Sequence, residues 1–479
     1  MNETVLSRNY SIVLKSFLSY LPSRILVILN ALLIVPIFAY FLTAQEMSIF
    51  QISIGILNFL CTISTDWVAK SVLRFFEKYK NSGELENFLS GIMFLEIITY
   101  IFIFALYFIF KNIVAEKFYI SQSIFFMVLI LVIPCGIRQM FYQFLRIQRK
   151  TLLYTVSIII YQITLLLLFF AFSPFVNHVM SLLTAMAFSV CLIDFIIIFK
   201  LKLKENLHFK FDKNILNNVV IYAIPLIITN VCIWLILHFG KFVFQYNKDF
   251  VNTAVVGVAW YFVTSVLTPL FSLLLFAVFP IVVRKFEKNY KIKDFMSSVL
   301  NSFIILFLPF VCVFLFYSFD IAKLAFKTEY TNLGMLFPFC AVTIFIHEFM
   351  KLMNTKYHLK NKTYIETIIS LAVAVFCITL YIILIKYYGI LGFGISMLSS
   401  IFMLLFFNSL VKFKEMNYFI PKKLLRCLFV TVLVSVISYF IIFLLFFKFS
   451  NNILTVVKIL LFLALYYFII VRFKKHIFV

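Results

Sequence analysis

Arg24, Asp66, Lys70, Glu96, Arg138, Asp194, Lys241, Glu348, Glu366 and Lys458 lie within stretches that are otherwise apolar. A charge in the middle of such a stretch costs about 3 kcal/mol to insert into a bilayer, so each one needs a partner or a task. Two chemistries follow from the residue types. Arginine keeps its proton and presents a planar fork of donors, so Arg24 and Arg138 suit a reversible grip on an anionic group such as phosphate. Lys70 and Lys241 extend that cationic set. Burial favours the neutral form of a carboxyl, so Glu96, Asp194 and Glu366 are candidates for exchanging a proton. Structural roles stand beside these. An arginine near a span end can snorkel to the headgroups. Asp66 and Lys70, four apart on one helical face, can pair with each other. Lys241, at a helix end, can equally be an interfacial anchor, and His238 and His347 read as packed or interfacial side chains.

The elements that must position these side chains are transmembrane helices. The 479 residues are 64% hydrophobic and 13% charged and include 65 Phe, more apolar surface than a water-soluble core can bury. Apolar stretches of about 20 residues, the length that crosses a bilayer core, recur along the whole chain. They fall near 17–42, 49–70, 88–110, 121–142, 152–172, 179–199, 215–239, 254–283, 297–319, 333–353, 364–385, 390–411, 427–447 and 453–471, which makes about fourteen spans. Runs such as 102–110 and 158–172 are apolar on every side, which excludes the strict alternation of a membrane β-barrel. The first span is too long for a signal-peptide core and has no small-residue cleavage site, so it is expected to stay in the chain.

Positive charge sits in every second connection. The N-terminus carries Arg8 and Lys15, and later clusters include Arg74, Lys78 and Lys80, then Arg146, Arg149 and Lys150, then Lys200 to Lys213, Arg284 to Lys293, Lys351 to Lys362, Lys412 to Arg426 and Arg472 to Lys475. About 30 basic residues lie on this side and about eight on the other, so this side is expected to be cytoplasmic and to hold both termini. The same bias accounts for the net charge of +23 without nucleic acid, since basic loops lie against an anionic inner leaflet. Several of the buried charges fall within about 12 Å of a basic boundary and would line a vestibule opening inward. The eight cysteines lie in or at the ends of spans without a C-x-x-C pair, and there is no glycine-rich phosphate loop, zinc-ligand cluster or Ser/His/Asp arrangement. No metal or cofactor is implied, and an ATP-driven pump is not expected.

The chain repeats itself. Arg74-Phe75-Phe76-Glu77-Lys78 matches Arg284-Lys285-Phe286-Glu287-Lys288, Lys150-Thr151 matches Lys362-Thr363, and Tyr20 to Pro22 echoes Tyr222 to Pro225. The matches keep their order at offsets of about 203 to 212 residues, which predicts two bundles of six helices related by an axis along the membrane normal. The expected organisation is a first lobe over 1–199, a cytoplasmic linker over 200–214, a second lobe over 215–411 and two additional helices with a basic tail over 412–479.

Further matches carry a resemblance to a known family. Pro225 within its span, Val256-Gly257-Val258, Phe279-Pro280-Ile281 with Arg284, and Tyr388-Gly389-Ile390-Leu391-Gly392 resemble patterns of the polysaccharide-transporter branch, with its Wzx-type O-antigen flippases, of the multidrug, oligosaccharidyl-lipid and polysaccharide exporter superfamily. Relatives often carry an Asp-Arg pair near the end of the seventh span, where this chain has Gly240-Lys241; the positive charge is kept and the acid is absent. The resemblance implies translocation of an undecaprenyl-diphosphate-linked oligosaccharide, an O-antigen or capsule repeat unit, from the cytoplasmic to the periplasmic leaflet of a bacterial inner membrane by alternating access. It also implies a chain that functions as a monomer, with membrane lipids, a polysaccharide polymerase and a chain-length regulator as candidate partners. Two other classes compete. A multidrug or cation antiporter of the same superfamily needs an acidic pocket, for which the first lobe offers Asp66, Glu96 and Asp194. A membrane glycosyltransferase or polymerase needs a long outer loop, and the outer connections here are short.

Overall fold

The computed structural model describes residues 3–148, 150–201, 212–287, 292–327, 330, 332–360, 362–412, 421–446 and 452–478. The regular elements among them are helices: α1 (Glu3–Phe41), α2 (Ala44–Ser64), α3 (Asp66–Asn81), α4 (Leu85–Phe118), α5 (Gln122–Ile147), α6 (Thr151–Phe172), α7 (His178–Leu201), α8 (Lys213–Tyr246), α9 (Phe250–Glu287), α10 (Lys293–Phe316), α11 (Ser318–Ala325), α12 (Leu333–Met353), α13 (Thr355–Leu359), α14 (Thr363–Leu410), α15 (Pro421–Phe446) and α16 (Asn452–Phe478). Thirteen of the described helices are long and apolar enough to cross a membrane. At 48 residues, α14 is about twice the length a span requires. It breaks at Gly389 (φ 53, ψ −127), and its halves correspond to the expected eleventh and twelfth spans. The protein is thus an all-helical, multi-pass membrane protein.

The expected second span, 49–70, is divided. Its helix stops at Ser64, Thr65 leaves helical geometry (φ −129, ψ −26), and α3 starts at Asp66. The cause is local. The Thr65 hydroxyl donates to the Cys61 carbonyl at 2.9 Å and the Ser64 hydroxyl to the Leu60 carbonyl at 2.9 Å, so side chains compete for the ladder just where a Ser-Thr-Asp run favours a helix start. Asp66 and Lys70 therefore occupy the first turns of a separate amphipathic helix, where the aligned peptide dipoles favour the Asp66 charge.

Two compact units make up the chain: residues Phe41–Gly257 with Thr363–Ile385, and Met1–Tyr40 with Val258–Lys362 and Lys386–Val479. The first contains α2 to α8 and the first half of α14. Its core includes Trp67, Val72, Phe88, Phe144, Tyr154 and Val219. Tyr381 on α14 ties in by donating to the Ile236 carbonyl of α8 at 2.7 Å. The second unit contains α1, most of α9, α10 to α13, the second half of α14, α15 and α16. Its core is aromatic, with Phe262 stacked on Phe337 at 5.5 Å and Phe271 edge-on to Phe303 at 5.7 Å. Pro309 has no N–H to give, which frees the carbonyl of Ile305 one turn earlier in α10. Tyr466 of α16 donates to that carbonyl at 3.0 Å, and Tyr467 to Leu306 at 2.6 Å, which docks the C-terminal helix on α10.

The break in α14 offers a test. No atom lies within 4 Å of where a Cβ at Gly389 would stand, so its substitution meets no steric obstacle and tests the backbone alone. Gly389→Ala forces a non-glycine residue into a glycine conformation at about 1–3 kcal/mol. Thermal unfolding in detergent should show a midpoint lowered by several degrees; an unchanged midpoint would mean the chain turns there without needing glycine.

Candidate functional site

Asp66, Lys70, Glu96, Arg138, Asp194, Lys241 and Glu366 all fall within the unit built from α2 to α8 and the first half of α14. Arg24 does not; it is buried on α1, in the other unit. Residues 135–139 of α5 form a meeting point for Asp66, Glu96, Arg138 and Asp194. Gln139 donates to the Asp66 carboxylate at 2.6 Å, and one turn along α3 Lys70 donates to the Asn230 side-chain oxygen of α8 at 2.6 Å. Asp66 and Lys70 thus hold neutral partners on different helices, and the ion pair their spacing suggested does not form.

Glu96 on α4 is buried and accepts a hydrogen bond from the Tyr100 hydroxyl at 2.6 Å, one helical turn away. Gly136 is what lets α5 approach this pair. A Cβ there would collide with the Tyr100 hydroxyl and the Thr65 methyl and stand 3.3 Å from Glu96 Oε1. Arg138 packs its guanidinium over the Tyr161 ring, 4.5 Å from the centroid, and approaches the Cys135 sulfur at 3.9 Å. Its partner is the negative face of an aromatic ring rather than a carboxylate. Asp194, buried on α7, is close enough to feel the Arg138 charge, and its Oδ1 has no hydrogen-bond partner among the described residues.

Lys241 is not an exposed interfacial anchor. It is 5% exposed, and its ammonium donates to the Gln51 carbonyl of α2 at 2.7 Å. His238 packs its ring against Trp234 at 5.7 Å. Glu366 is buried in the first turn of α14 and acts electrostatically on Tyr222. Glu348, in the other unit, forms an ion pair with Lys351 at 2.6 Å, three residues on, which accounts for its charge locally. No group of three or more His, Cys, Asp or Glu side chains suited to a metal occurs among the described residues.

Sequence reasoning missed the neutral partners: Gln51, Tyr100, Gln139, Tyr161 and Asn230. The Glu96–Tyr100 spacing of four was a legible signal. The others lie on a different helix from the charge they meet and left none.

The arrangement places polar groups inside an apolar bundle, where Asp66, Glu96, Arg138 and Lys241 meet Gln139, Tyr100, Tyr161 and the Gln51 carbonyl. Such charges remain able to respond to an ion or an ionic substrate. No protein-family model matches this sequence, and no curated protein does. Solved structures match it in fold. A lipid II flippase, MurJ, in an inward closed conformation superposes with a TM-score of 0.71 at 16% identity, covering 97% of this chain and 100% of that one. A MATE transporter from Vibrio cholerae gives 0.52 at 14% identity, covering 84% and 96%. A transporter of the MOP superfamily from Pyrococcus furiosus, described as having a binding pocket of reversed polarity, gives 0.50 at 12% identity over 84% and 94%. The all-helical fold with thirteen long apolar helices among the described residues is shared with these structures.

Close packing at Gly136 yields a double-mutant test. Gly136→Ala should destabilise the protein by about 1–3 kcal/mol through overpacking. Adding Tyr100→Phe removes the hydroxyl that the new methyl strikes, so the pair should lose less than the sum of the single changes in thermal unfolding. Strict additivity would show that the two positions do not touch.

Proposed function

We propose that the chain is a flippase carrying an undecaprenyl-diphosphate-linked oligosaccharide from the cytoplasmic to the periplasmic leaflet of a bacterial inner membrane. The observation that carries this reading is the way its interior cations are held. Arg138 rests on an aromatic ring and Lys241 on a backbone carbonyl. A lipid-linked diphosphate must move its anionic head through a region hostile to charge, and a cation without a carboxylate partner can engage it without first breaking an ion pair. The likeness to MurJ along nearly the whole chain supports the same reading.

Arg24, Arg138, Lys70 and Lys241 form the substrate-contacting set in this proposal. Alternating access comes from the six-helix lobes, 1–199 and 215–411, joined by the 200–214 linker, which lies largely outside the described residues. The additional helices over 412–479 flank them, and both termini face the cytoplasm. Asp66, Glu96, Asp194 and Glu366 are the coupling candidates.

A second reading has its own observation. Glu96 and Asp194 are buried carboxylates without an ion-pair partner among the described residues, a feature a drug or cation antiporter would use. The two readings separate cleanly in cells.

Deleting the gene should abolish surface glycan and accumulate lipid-linked precursor, with wild type restoring export. Arg138→Ala at matched membrane abundance should cut export about tenfold, the loss expected for one charge-assisted hydrogen bond, and Arg24→Ala should do likewise. Arg138→Lys should restore little, because lysine presents a point charge rather than a stacked fork. Unchanged surface glycan in the deletion, with loss of cation or drug efflux that depends on Glu96, would replace the flippase by the antiporter.

A further inference from the structure

Lys241 is a buried ammonium without a carboxylate partner among the described residues. Taking an ammonium out of water costs several kcal/mol, yet this one is buried with a single neutral acceptor, the Gln51 carbonyl at 2.7 Å, and forms no ion pair among the described residues. The packing is shaped around it. A Cβ at Gly55, one turn beyond Gln51, would stand 2.8 Å from Lys241 Cε and 2.9 Å from Nζ, so α2 carries glycine where the lysine crosses. A Cβ at Gly257 would run into the Gln51 side chain, so the start of α9 closes on the same turn of α2. The lysine stem lies beside Phe242, whose ring centroid is 5.9 Å from the ammonium. Eleven residues back along α8, about 16 Å at 1.5 Å per residue, Asn230 receives Lys70 from α3. A lysine thus reaches α8 from α3 at Asn230, and a lysine of α8 reaches α2 at Gln51.

A backbone carbonyl is a weak holder for a cation. An ammonium has three donors, of which this carbonyl uses one, and an anionic oxygen makes a bond about twice as strong as a neutral one. Any phosphate oxygen reaching Lys241 would compete successfully with Gln51. In the two-lobe reading proposed above, on which this inference rests, α2 comes from the first lobe and α8 from the second, and here they pack within one compact unit, so the bond lies on a seam inside that unit.

We propose that Lys241 is an anion-released latch: its bond to the Gln51 carbonyl closes the α2–α8 seam, and a diphosphate headgroup opens the seam by drawing the ammonium away. The ligand class is a lipid-borne diphosphate, and the role of Lys241 is to couple its arrival to separation of the two helices. A neutral lipid of the same chain length leaves the latch closed.

The test uses the full chain in nanodiscs, with the eight native cysteines replaced and spin labels at Gln45→Cys and Tyr246→Cys, both exposed and lying at the adjacent ends of α2 and α8. Label separation is measured by pulsed electron paramagnetic resonance with no lipid probe, with undecaprenol and with undecaprenyl diphosphate. The expected result is a shift to longer separation with the diphosphate only. Lys241→Gln should show the longer separation without any probe and no further response, whereas Lys241→Arg should respond as wild type does. A wild-type separation that the diphosphate does not move, or a Lys241→Gln protein that responds like wild type, overturns the latch. Failure of the flippase reading is seen separately: if deletion leaves glycan export intact while the labels still respond, the latch stands and the transport assignment falls.

Discussion

Hydrocarbon offers no hydrogen-bonding partner, so every backbone carbonyl released from a helix ladder must be met by the chain itself. Much of this molecule is organised by that requirement. Tyr466 meets the Ile305 carbonyl that Pro309 leaves free. Lys356 places its ammonium on the Asn408 and Val411 carbonyls at 2.7 Å each, closing the end of α14. Lys327 does the same for Tyr40 near the end of α1 at 2.7 Å. At Ile305, Asn408, Val411 and Tyr40 a proline or a nearby helix end creates the acceptor, and a side chain distant in sequence supplies the donor and fixes the packing.

The same constraint decides how charge is stored. A lysine that caps a helix end is satisfied by aligned carbonyl dipoles and has no further demand. Lys241 differs, because Gln51 lies inside α2 and its carbonyl already belongs to a helix ladder. The acids follow a parallel rule: Asp66 takes an amide from Gln139 and Glu96 a phenol from Tyr100. A bond to one charged partner contributes about 1.5–3 kcal/mol, less than the several kcal/mol that burying the charge costs. Charges kept at such a loss are the natural carriers of function, while the Glu348–Lys351 pair, balanced within one helix, is structural.

Much of the fold was legible before any coordinates. Helices such as Thr151–Phe172 and Leu333–Met353 lie where hydropathy puts them, since a bilayer core requires about 20 apolar residues and little else. The division of the second span at Thr65 was not legible from hydropathy, because an average over a window does not register a Ser-Thr-Asp run that changes the backbone direction. The short helices α11 and α13 escaped for a related reason: too short to span, they form where packing closes over them.

Sequence alone determined the solvent, the helical class, the approximate spans and the identity of the costly charges, because each depends on residue type and local spacing. Only tertiary structure decided what those charges touch. Lys241 could not be placed on Gln51, nor Lys70 on Asn230, nor Arg138 over Tyr161, by any local pattern. The partners stand 190, 160 and 23 residues away, and what brings them together is the packing of helices through glycines such as Gly55 and Gly136.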